Sequence, residues 1–260
     1  MLILLSPAKR LDFGPLDRDL ETTKPELLAL ARKLAALGKS LSEADLKKLM
    51  SISDNLAAEV QGYFQSWKQI ADPAGAKPAV FAFRGDVYLG LEAETLTPKQ
   101  LDWTQDHVRI LSGLYGVLRP LDLIQPYRLE MGSQLAGDHG KNLYEYWGDT
   151  IQKTLRKTLA DQADPLVVNL ASQEYAVAAR LEGLKARVVT PVFKDKAKTG
   201  KGYRVISFFA KKARGMMARH LAQTAKKGAS AVRDFQAAGY RYDAGQSSED
   251  RPTFLRDAPA

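Results

Sequence analysis

Short apolar runs alternate with longer amphipathic segments along this chain, and this alternation limits its possible folds more than any other feature. Leu2–Pro7 and Leu166–Leu170 have the length and composition of buried strands. Pro25–Gly38 and Leu143–Leu159 repeat apolar side chains at the helical period. No internal repeat or linker-like composition divides the chain. We therefore predict an α/β (mixed α+β) fold with a mixed sheet, in a single domain covering residues 1–260.

Further elements are predicted beside the segments that carry chemistry. Ala79–Phe83 is apolar and aromatic and is predicted to be a strand. Thr97-Pro98 is a helix-capping pair, which predicts a helix from Pro98 to about Leu111. Arg187–Phe193 is predicted to be a strand. Tyr203–Ala210 is predicted to be another strand that leads into a basic helix.

The sequence contains no cysteine, which excludes disulfides, thiolate metal sites, iron–sulfur clusters and thiol redox chemistry. Its three histidines are His107, His139 and His220. None follows a carboxylate at the three-residue spacing of ferritin-like di-iron helices. We therefore expect no resident metal and no cofactor.

No apolar run approaches the ~20 residues that a membrane-spanning helix requires. Leu2–Leu5 is too short for the core of a signal peptide and has no basic segment before it. We expect a soluble cytoplasmic protein without a membrane partner. Nothing in the sequence indicates an obligate protein partner.

Positive charge is concentrated in the final third of the chain. Residues 1–179 contain 20 Lys and Arg against 23 Asp and Glu, a net charge of −3. Residues 180–260 contain 18 against 7, a net charge of +11. Between Lys185 and Arg233 there are 14 basic residues and one acid, Asp195. These cations either keep exposed faces solvated or contact a polyanion, and their concentration favours phosphate.

A glycine-bracketed turn, Gly113-Leu114-Tyr115-Gly116, follows the predicted helix from Pro98. Helix–hairpin–helix elements use tight glycine turns whose backbone N–H groups point at one DNA phosphate. Two apolar residues separate the glycines here, whereas the usual hairpin has one. The turn is therefore either a phosphate-binding hairpin or a plain connection between helices.

A basic helix follows Phe208-Phe209 and contains Lys211, Lys212, Arg214 and Arg219. Basic side chains at a strand-to-helix junction can line a cleft and hold phosphates. The alternative is an ordinary amphipathic helix that buries its methionines and exposes its charges.

Two further segments follow predicted strands, where α/β folds place ligand-contacting residues. They contain Lys9 and Arg84-Gly85-Asp86. Asp86, Glu130 and Glu174 are candidate acids, and Lys9 and Lys212 are candidate nucleophiles of the kind that glycosylases use. A surface or capping role is the favoured interpretation of each acid, because nothing in the sequence fixes a partner for it, so no catalytic residue is assigned.

The chain resembles the YaaA family of bacterial peroxide-stress proteins, and the resemblance extends over nearly its whole length. The longest match, in the centre of the chain, is highly specific. The matching segments are Leu4–Lys9, Ile52–Asp54, Phe83–Leu91, Leu111–Asp122, Pro126–Gly132, Asn169–Ser172, Glu174-Tyr175, Ile206–Phe208 and Ala210–Gly215. The chain departs from its relatives chiefly in its Ala- and Lys-rich final third, notably at Lys194–Lys201.

This resemblance implies a protein that protects cells during hydrogen peroxide stress and binds double-stranded DNA, including branched or locally unpaired forms. It also implies a positively charged cleft and a helix–hairpin–helix element, which we place around residues 98–132. The expected DNA-binding residues are Lys9, Gly113, Leu114, Tyr115, Gly116, Arg119, Arg128, Lys211, Lys212, Arg214 and Arg219.

The leading hypothesis is therefore sequence-nonspecific binding of DNA through its phosphates, which protects it from iron-driven damage. A chain without cysteine is poorly equipped to destroy peroxide itself. Two alternatives stay open. One is a DNA repair enzyme of the glycosylase or lyase type that acts on a flipped base, and the other is an intracellular iron-handling protein.

Overall fold

The computed structural model describes residues 1–68, 75–138, 140–197, 202–226 and 228–257. The strands in these ranges are β1 (Leu2–Leu5), β2 (Arg10–Leu11), β3 (Lys77–Pro78), β4 (Phe83–Arg84), β5 (Val108–Ser112), β6 (Gly116–Leu118), β7 (Leu123–Ile124), β8 (Leu166–Asn169), β9 (Arg187–Val189), β10 (Val192–Lys196), β11 (Tyr203–Arg204), β12 (Arg241–Asp243) and β13 (Thr253–Arg256). The helices are α1 (Leu28–Ser40), α2 (Glu43–Met50), α3 (Asp54–Ser66), α4 (Ala79–Ala82), α5 (Asp86–Leu91), α6 (Pro98–His107), α7 (Leu143–Trp147), α8 (Thr150–Leu159), α9 (Gln173–Ala179), α10 (Ser207–Thr224) and α11 (Ala229–Arg233).

The main sheet has five strands in the order β6-β5-β1-β8-β9. The central strand β1 pairs in parallel with β5 and with β8, and β8 pairs in parallel with β9. The edge strand β6 is antiparallel to β5. All four residues of β1 are completely buried, as expected for a strand covered on both faces. The predicted mixed α/β fold is confirmed.

A second sheet of four strands, in the order β11-β10-β13-β12, forms from the final third of the chain. The predicted strand Arg187–Phe193 is divided between the two sheets, because β9 belongs to the main sheet and β10 to the second one. Strand β13 pairs in parallel with β10 and is antiparallel to β12. One continuous hydrophobic cluster includes buried side chains from both sheets, for example Leu4 and Phe254.

Helices α5 and α10 cross at very close range, and glycine makes this possible. A β-carbon on Gly215 would overlap the carbonyl oxygen of Val87, and one on Gly90 would overlap that of Lys212. Only glycine allows two helix backbones to approach so closely. This contact fixes the position of α10, the basic helix, against the rest of the fold.

Several predicted elements differ from those observed. Ala79–Phe83 is mostly the short helix α4 rather than a strand. Leu143–Leu159 is divided into α7 and α8 at Gly148, which has a φ of +50°. Only Tyr203–Arg204 of the predicted strand Tyr203–Ala210 pairs as a strand, and α10 begins at Ser207.

The prediction of a helix–hairpin–helix element over residues 98–132 is wrong. Helix α6 ends at His107, and Val108–Ser112 is a strand of the main sheet. The glycine turn joins this strand to β6 in an antiparallel β-hairpin. The reason is tertiary, since Val108–Ser112 is entirely buried beside β1, and this pairing overrides its local helical pattern.

Candidate functional site

A cleft of about 490 Å³ lies where β1 and β8 end. Because these strands are parallel neighbours, the segments that follow them emerge at the same edge of the sheet. We call this site the strand-end cleft. It is lined by residues 6–10, Arg84–Tyr88, Tyr127–Glu130, Ser172, Glu174, Tyr175, Lys211 and Arg214.

Two serines connect the segments that follow β1 and β8. The backbone N–H of Ser172 donates to Ser6 Oγ at 2.8 Å, and the two hydroxyl oxygens lie 3.3 Å apart. The hydroxyl of Tyr88, on α5, donates to the carbonyl oxygen of Ser6 at 3.0 Å. These bonds fix three walls of the cleft relative to one another.

The strand-end cleft carries more positive than negative groups. Its formal charge is +3, since six cations face three carboxylates. The cations are Lys9, Arg10, Arg84, Arg128, Lys211 and Arg214, and the carboxylates are Asp86, Glu130 and Glu174.

Carboxylates compensate some of these cations. Glu130 lies between Lys9 Nζ at 2.8 Å and Arg128 Nη2 at 3.3 Å. Arg84 pairs with Asp12 at 2.9 Å and with Glu94 at 2.7 Å, both outside the cleft. A backbone hydrogen bond from Gly14, together with Arg84, lowers the pKa of Asp12.

Arg214 differs from these paired cations. Its side chain, on α10, is half-buried, and this burial lowers the pKa of its guanidinium. Within the described ranges, no acceptor bonds to it. It also lines a second cavity, of about 500 Å³, that contains Asn169 and Thr190. Arg214 is therefore a half-buried cation that lines both cavities.

Three buried tyrosines, Tyr88, Tyr127 and Tyr175, line the cleft from within the core. Burial raises the pKa of all three hydroxyls. The hydroxyl of Tyr127 lies 2.7 Å from Ser112 Oγ, and that of Tyr88 is bonded to Ser6. These side chains therefore stay protonated at neutral pH and form an uncharged floor.

The three candidate acids have different environments. Glu130 is held in ion pairs, and Glu174 accepts the backbone N–H of Gly132 at 2.8 Å. Asp86, in the first turn of α5, has no hydrogen-bond donor or cation as a partner in the part of the chain that the structure describes. Of the two candidate nucleophiles, Lys9 lines the cleft and Lys212 does not.

Of the expected DNA-binding residues, the cleft brings together Lys9, Arg128, Lys211 and Arg214. Two other expected cations bind within the protein. Arg119 donates to the carboxylate of Asp122 and to the carbonyl oxygen of Lys24. Arg219 donates to the carbonyl oxygens of Leu91 and Glu92, at the end of α5.

The glycine turn is buried and lies behind the cleft. Leu114 and Tyr115 are at most 1% exposed. Trp147 Nε1 donates to the carbonyl oxygen of Gly113 at 3.0 Å, and a β-carbon on Gly113 would overlap the backbone of Leu129. The turn therefore positions the segment that contains Arg128 and Glu130, and it presents no surface for phosphate.

Several cations of the final third form ion pairs within the protein. Arg187 pairs with Glu249 and Asp250, and Lys226 pairs with Asp234. Lys196 pairs with Asp257. Lys198, Lys201 and Lys227 lie outside the described residues. These acids belong to the final third themselves and are already included in its net charge of +11, so the pairs localise three cations without reducing the surplus. Among the described residues, Lys211 and Arg214 form no ion pair.

Arg10, Ser6 and Ser172 belong to the cleft, but the sequence did not single them out. The signal that could have identified them was the order of the strands in the sheet. A prediction that β1 and β8 are parallel neighbours would have brought the residues after each strand together.

Two consecutive helices joined by a short turn, the arrangement expected over residues 98–132, do occur at another place in the chain, namely α2 and α3. The helices pack together and are joined by the three residues Ser51–Ser53, of which Ser51 has a φ of +51°.

The described residues contain no group of three or more histidine, aspartate or glutamate side chains that could hold a metal ion. Among the same residues, no helix combines the length and the apolar character needed to cross a bilayer.

Comparison with known proteins gives consistent matches over the length of the chain. A family model described as "Peroxide stress protein YaaA" matches residues 1–246. A UPF0246 protein of Shewanella sp. strain MR-4 is 49% identical over 258 residues, which cover 99% of this chain and 100% of the relative. A UPF0246 protein of Shewanella amazonensis is 48% identical over 257 residues, 99% of each chain.

Proposed function

Since the chain belongs to the family of the peroxide stress protein YaaA, which supports a role in the response to peroxide, we propose that it acts there by binding duplex DNA. The binding is sequence-nonspecific and uses phosphate contacts at the rim of the strand-end cleft. It protects the DNA from iron-driven damage.

One observation carries this proposal. Lys211 and Arg214 lie on one face of α10, have no acidic partner among the described residues, and share the cleft with Lys9 and Arg10. Cations without internal partners are available to neutralise phosphates and to release the counterions condensed on DNA. The paired cations of the final third lack this property.

The position of these groups suits contact with the DNA backbone. Lys9, Arg10 and Lys211 are exposed, and the side chain of Lys9 retains 62% of its accessible surface. A duplex presents one negative charge for about every 1.7 Å of its axis, so several cations on one rim meet several phosphates. Such contacts fix the position of the DNA without reading its sequence.

Replacing Arg10 and Lys211 together by alanine tests the proposal. Affinity should fall similarly for duplexes of any sequence, and the slope of log affinity against log salt should become shallower by roughly 0.9 for each phosphate that the variant no longer neutralises. Fluorescence anisotropy with labelled duplexes at several salt concentrations gives both quantities.

The matched control replaces Lys99 and Lys153, two exposed lysines outside both cavities, and it should leave the slope unchanged. The proposal fails if the wild-type affinity does not depend on salt, or if the control loses as much affinity as the cleft variant.

A DNA repair enzyme is the second candidate, and the observation that favours it is the position of Lys9 beside Glu130 in a cleft with two further carboxylates. Incubation with duplexes that contain an abasic site or an oxidised base, followed by borohydride, tests it. Strand cleavage with a trapped covalent adduct that Lys9→Ala abolishes would establish this activity. Intact DNA and no adduct would exclude the lyase.

A further inference from the structure

We propose that the strand-end cleft binds a single nucleotide unit, with its phosphate on Arg214 and a hydrogen-bond donor of its base or sugar on Asp86. This inference deepens the proposed function, because the nucleotide can be one that leaves the stack of a bound DNA. It also holds for a free nucleotide, which shares the same chemistry.

Arg214 is the starting point. Its side chain is half-buried, yet none of the described residues supplies an acceptor. A partly desolvated charge without a partner is unfavourable, and a ligand that supplies the opposite charge relieves this cost. The planar guanidinium can donate two parallel hydrogen bonds to a phosphate, which a lysine cannot do.

A second arginine of the cleft has an unused donor. Arg128 reaches Glu130 through Nη2, whereas its Nε is buried without a hydrogen-bond partner in the described ranges. A buried donor that stays unpaired costs about 1–3 kcal/mol. Two guanidiniums of one cleft therefore have donors that the described protein does not satisfy.

Asp86 distinguishes this cleft from a surface made for phosphate alone. Its carboxylate is half-buried, has no partner in the described chain, and would repel a second phosphate. A carboxylate accepts hydrogen bonds from amino, imino or hydroxyl groups, which bases and sugars carry. A guanidinium and a carboxylate that both have no partner among the described residues therefore fit a ligand that carries an anion as well as hydrogen-bond donors.

Size supports the same ligand class. The cleft encloses about 490 Å³, within the roughly 300–1,000 Å³ of pockets for small ligands. A duplex cannot enter such a volume, whereas one nucleotide that has left the stack can. The floor formed by Tyr88, Tyr127 and Tyr175 is uncharged, which suits a base or a sugar.

Calorimetry with free ligands tests the site without DNA. Deoxynucleoside 5′-monophosphates should bind at least tenfold more tightly than inorganic phosphate or the matching nucleosides. Arg214→Gln should reduce the affinity for monophosphates at least tenfold. Asp86→Asn should weaken nucleotide binding but leave that of inorganic phosphate unchanged or stronger. The control Arg204→Gln, on exposed β11 outside both cavities, should have no effect.

Thermal unfolding separates this role from a structural one. Since Arg214 bonds to no described group, Arg214→Gln should not lower the melting temperature of the ligand-free protein. A structural arginine would lower it, so a marked loss of stability in this variant counts against the proposal.

The DNA arm compares an intact duplex with a duplex that contains one extrahelical nucleotide. Preference for the extrahelical form that Arg214→Gln abolishes supports the proposal, as does monophosphate binding that depends on Arg214. The inference is overturned if monophosphates do not bind and the two duplexes bind equally, or if Arg214→Gln changes neither. Intact duplex binding that depends on salt would then leave the proposed function standing. Conversely, binding of monophosphates without affinity for duplex DNA would support the nucleotide site and contradict the proposed function.

Discussion

Single residues of the same charge have very different roles in this molecule. Arg119 and Arg219 hold neighbouring backbone in place, whereas Arg214 has no bonded acceptor among the described residues. Residue type alone does not separate these roles, because all three side chains are arginines. What separates them is whether the fold brings a carboxylate or a carbonyl oxygen within reach.

His220 allows a prediction about pH at this scale. Burial lowers the pKa of its imidazole below 6.5, and one ring nitrogen lies 3.3 Å from the carbonyl oxygen of Ala231. Because its pKa is lower in the folded state, the stability from the neutral ring is present above pH 6.5 and is lost as pH falls below it.

Glutamine at position 220 can keep the hydrogen bond to Ala231 but does not titrate. Chemical denaturation at pH 7.5 and 5.5 should therefore show the wild type losing more free energy of unfolding than His220→Gln on acidification. Equal losses in the two proteins would contradict this explanation.

At the scale of elements, the contact between α5 and α10 determines where Lys211 and Arg214 lie. Gly215→Ala places a methyl group against the backbone of Val87. Overpacking of this kind costs about 1–3 kcal/mol, and we expect DNA affinity to fall as well because α10 must shift. Denaturant unfolding and anisotropy measure the two effects.

Gly62→Ala is the matched control, since position 62 lies within α3 and a β-carbon there meets no atom within 4 Å. Alanine should stabilise this helix by about 0.5–1 kcal/mol relative to glycine and leave DNA affinity unchanged. The explanation fails if both glycine variants behave alike.

The sequence predicted elements well where local signals determine them. The capping pair Thr97-Pro98 marked the start of α6, and the apolar run from Leu2 marked β1. Prediction from the sequence failed where pairing between distant segments determines the secondary structure. Val108–Ser112, for example, is a strand because β1 lies beside it. The site was predicted only in part for the same reason. Lys9 and Arg214 were predicted as binding residues, but the fact that both line one cleft depends on how β1, β8 and α10 are arranged.

At the scale of the whole molecule, a buried ion pair within the second sheet lies against α10. Asp195, on β10, accepts hydrogen bonds from Arg256 and from the hydroxyl of Tyr240. The guanidinium of Arg256 lies over the rings of Phe209 and Tyr240, each at 4.5 Å. Since Phe209 belongs to α10, this cluster joins the second sheet to the helix that contains Arg214.

Asp195→Ala tests whether the chain unfolds as one unit, as a single domain requires. Loss of one partner of a buried pair costs about 3–5 kcal/mol. The tryptophans Trp67, Trp103 and Trp147 all precede the second sheet. If unfolding is cooperative, their fluorescence midpoint should shift with the circular-dichroism midpoint. A tryptophan midpoint that stays at its wild-type value would show that the second sheet unfolds separately.

The strand-end cleft has walls from five segments that are far apart in sequence, and the last of them, around Arg214, is synthesised late. A growing chain on the ribosome therefore lacks a complete binding site until α10 has emerged and docked on α5. Competence to bind ligand thus appears in one late step of biogenesis, and a prematurely terminated product that lacks α10 cannot compete with the finished protein for its target.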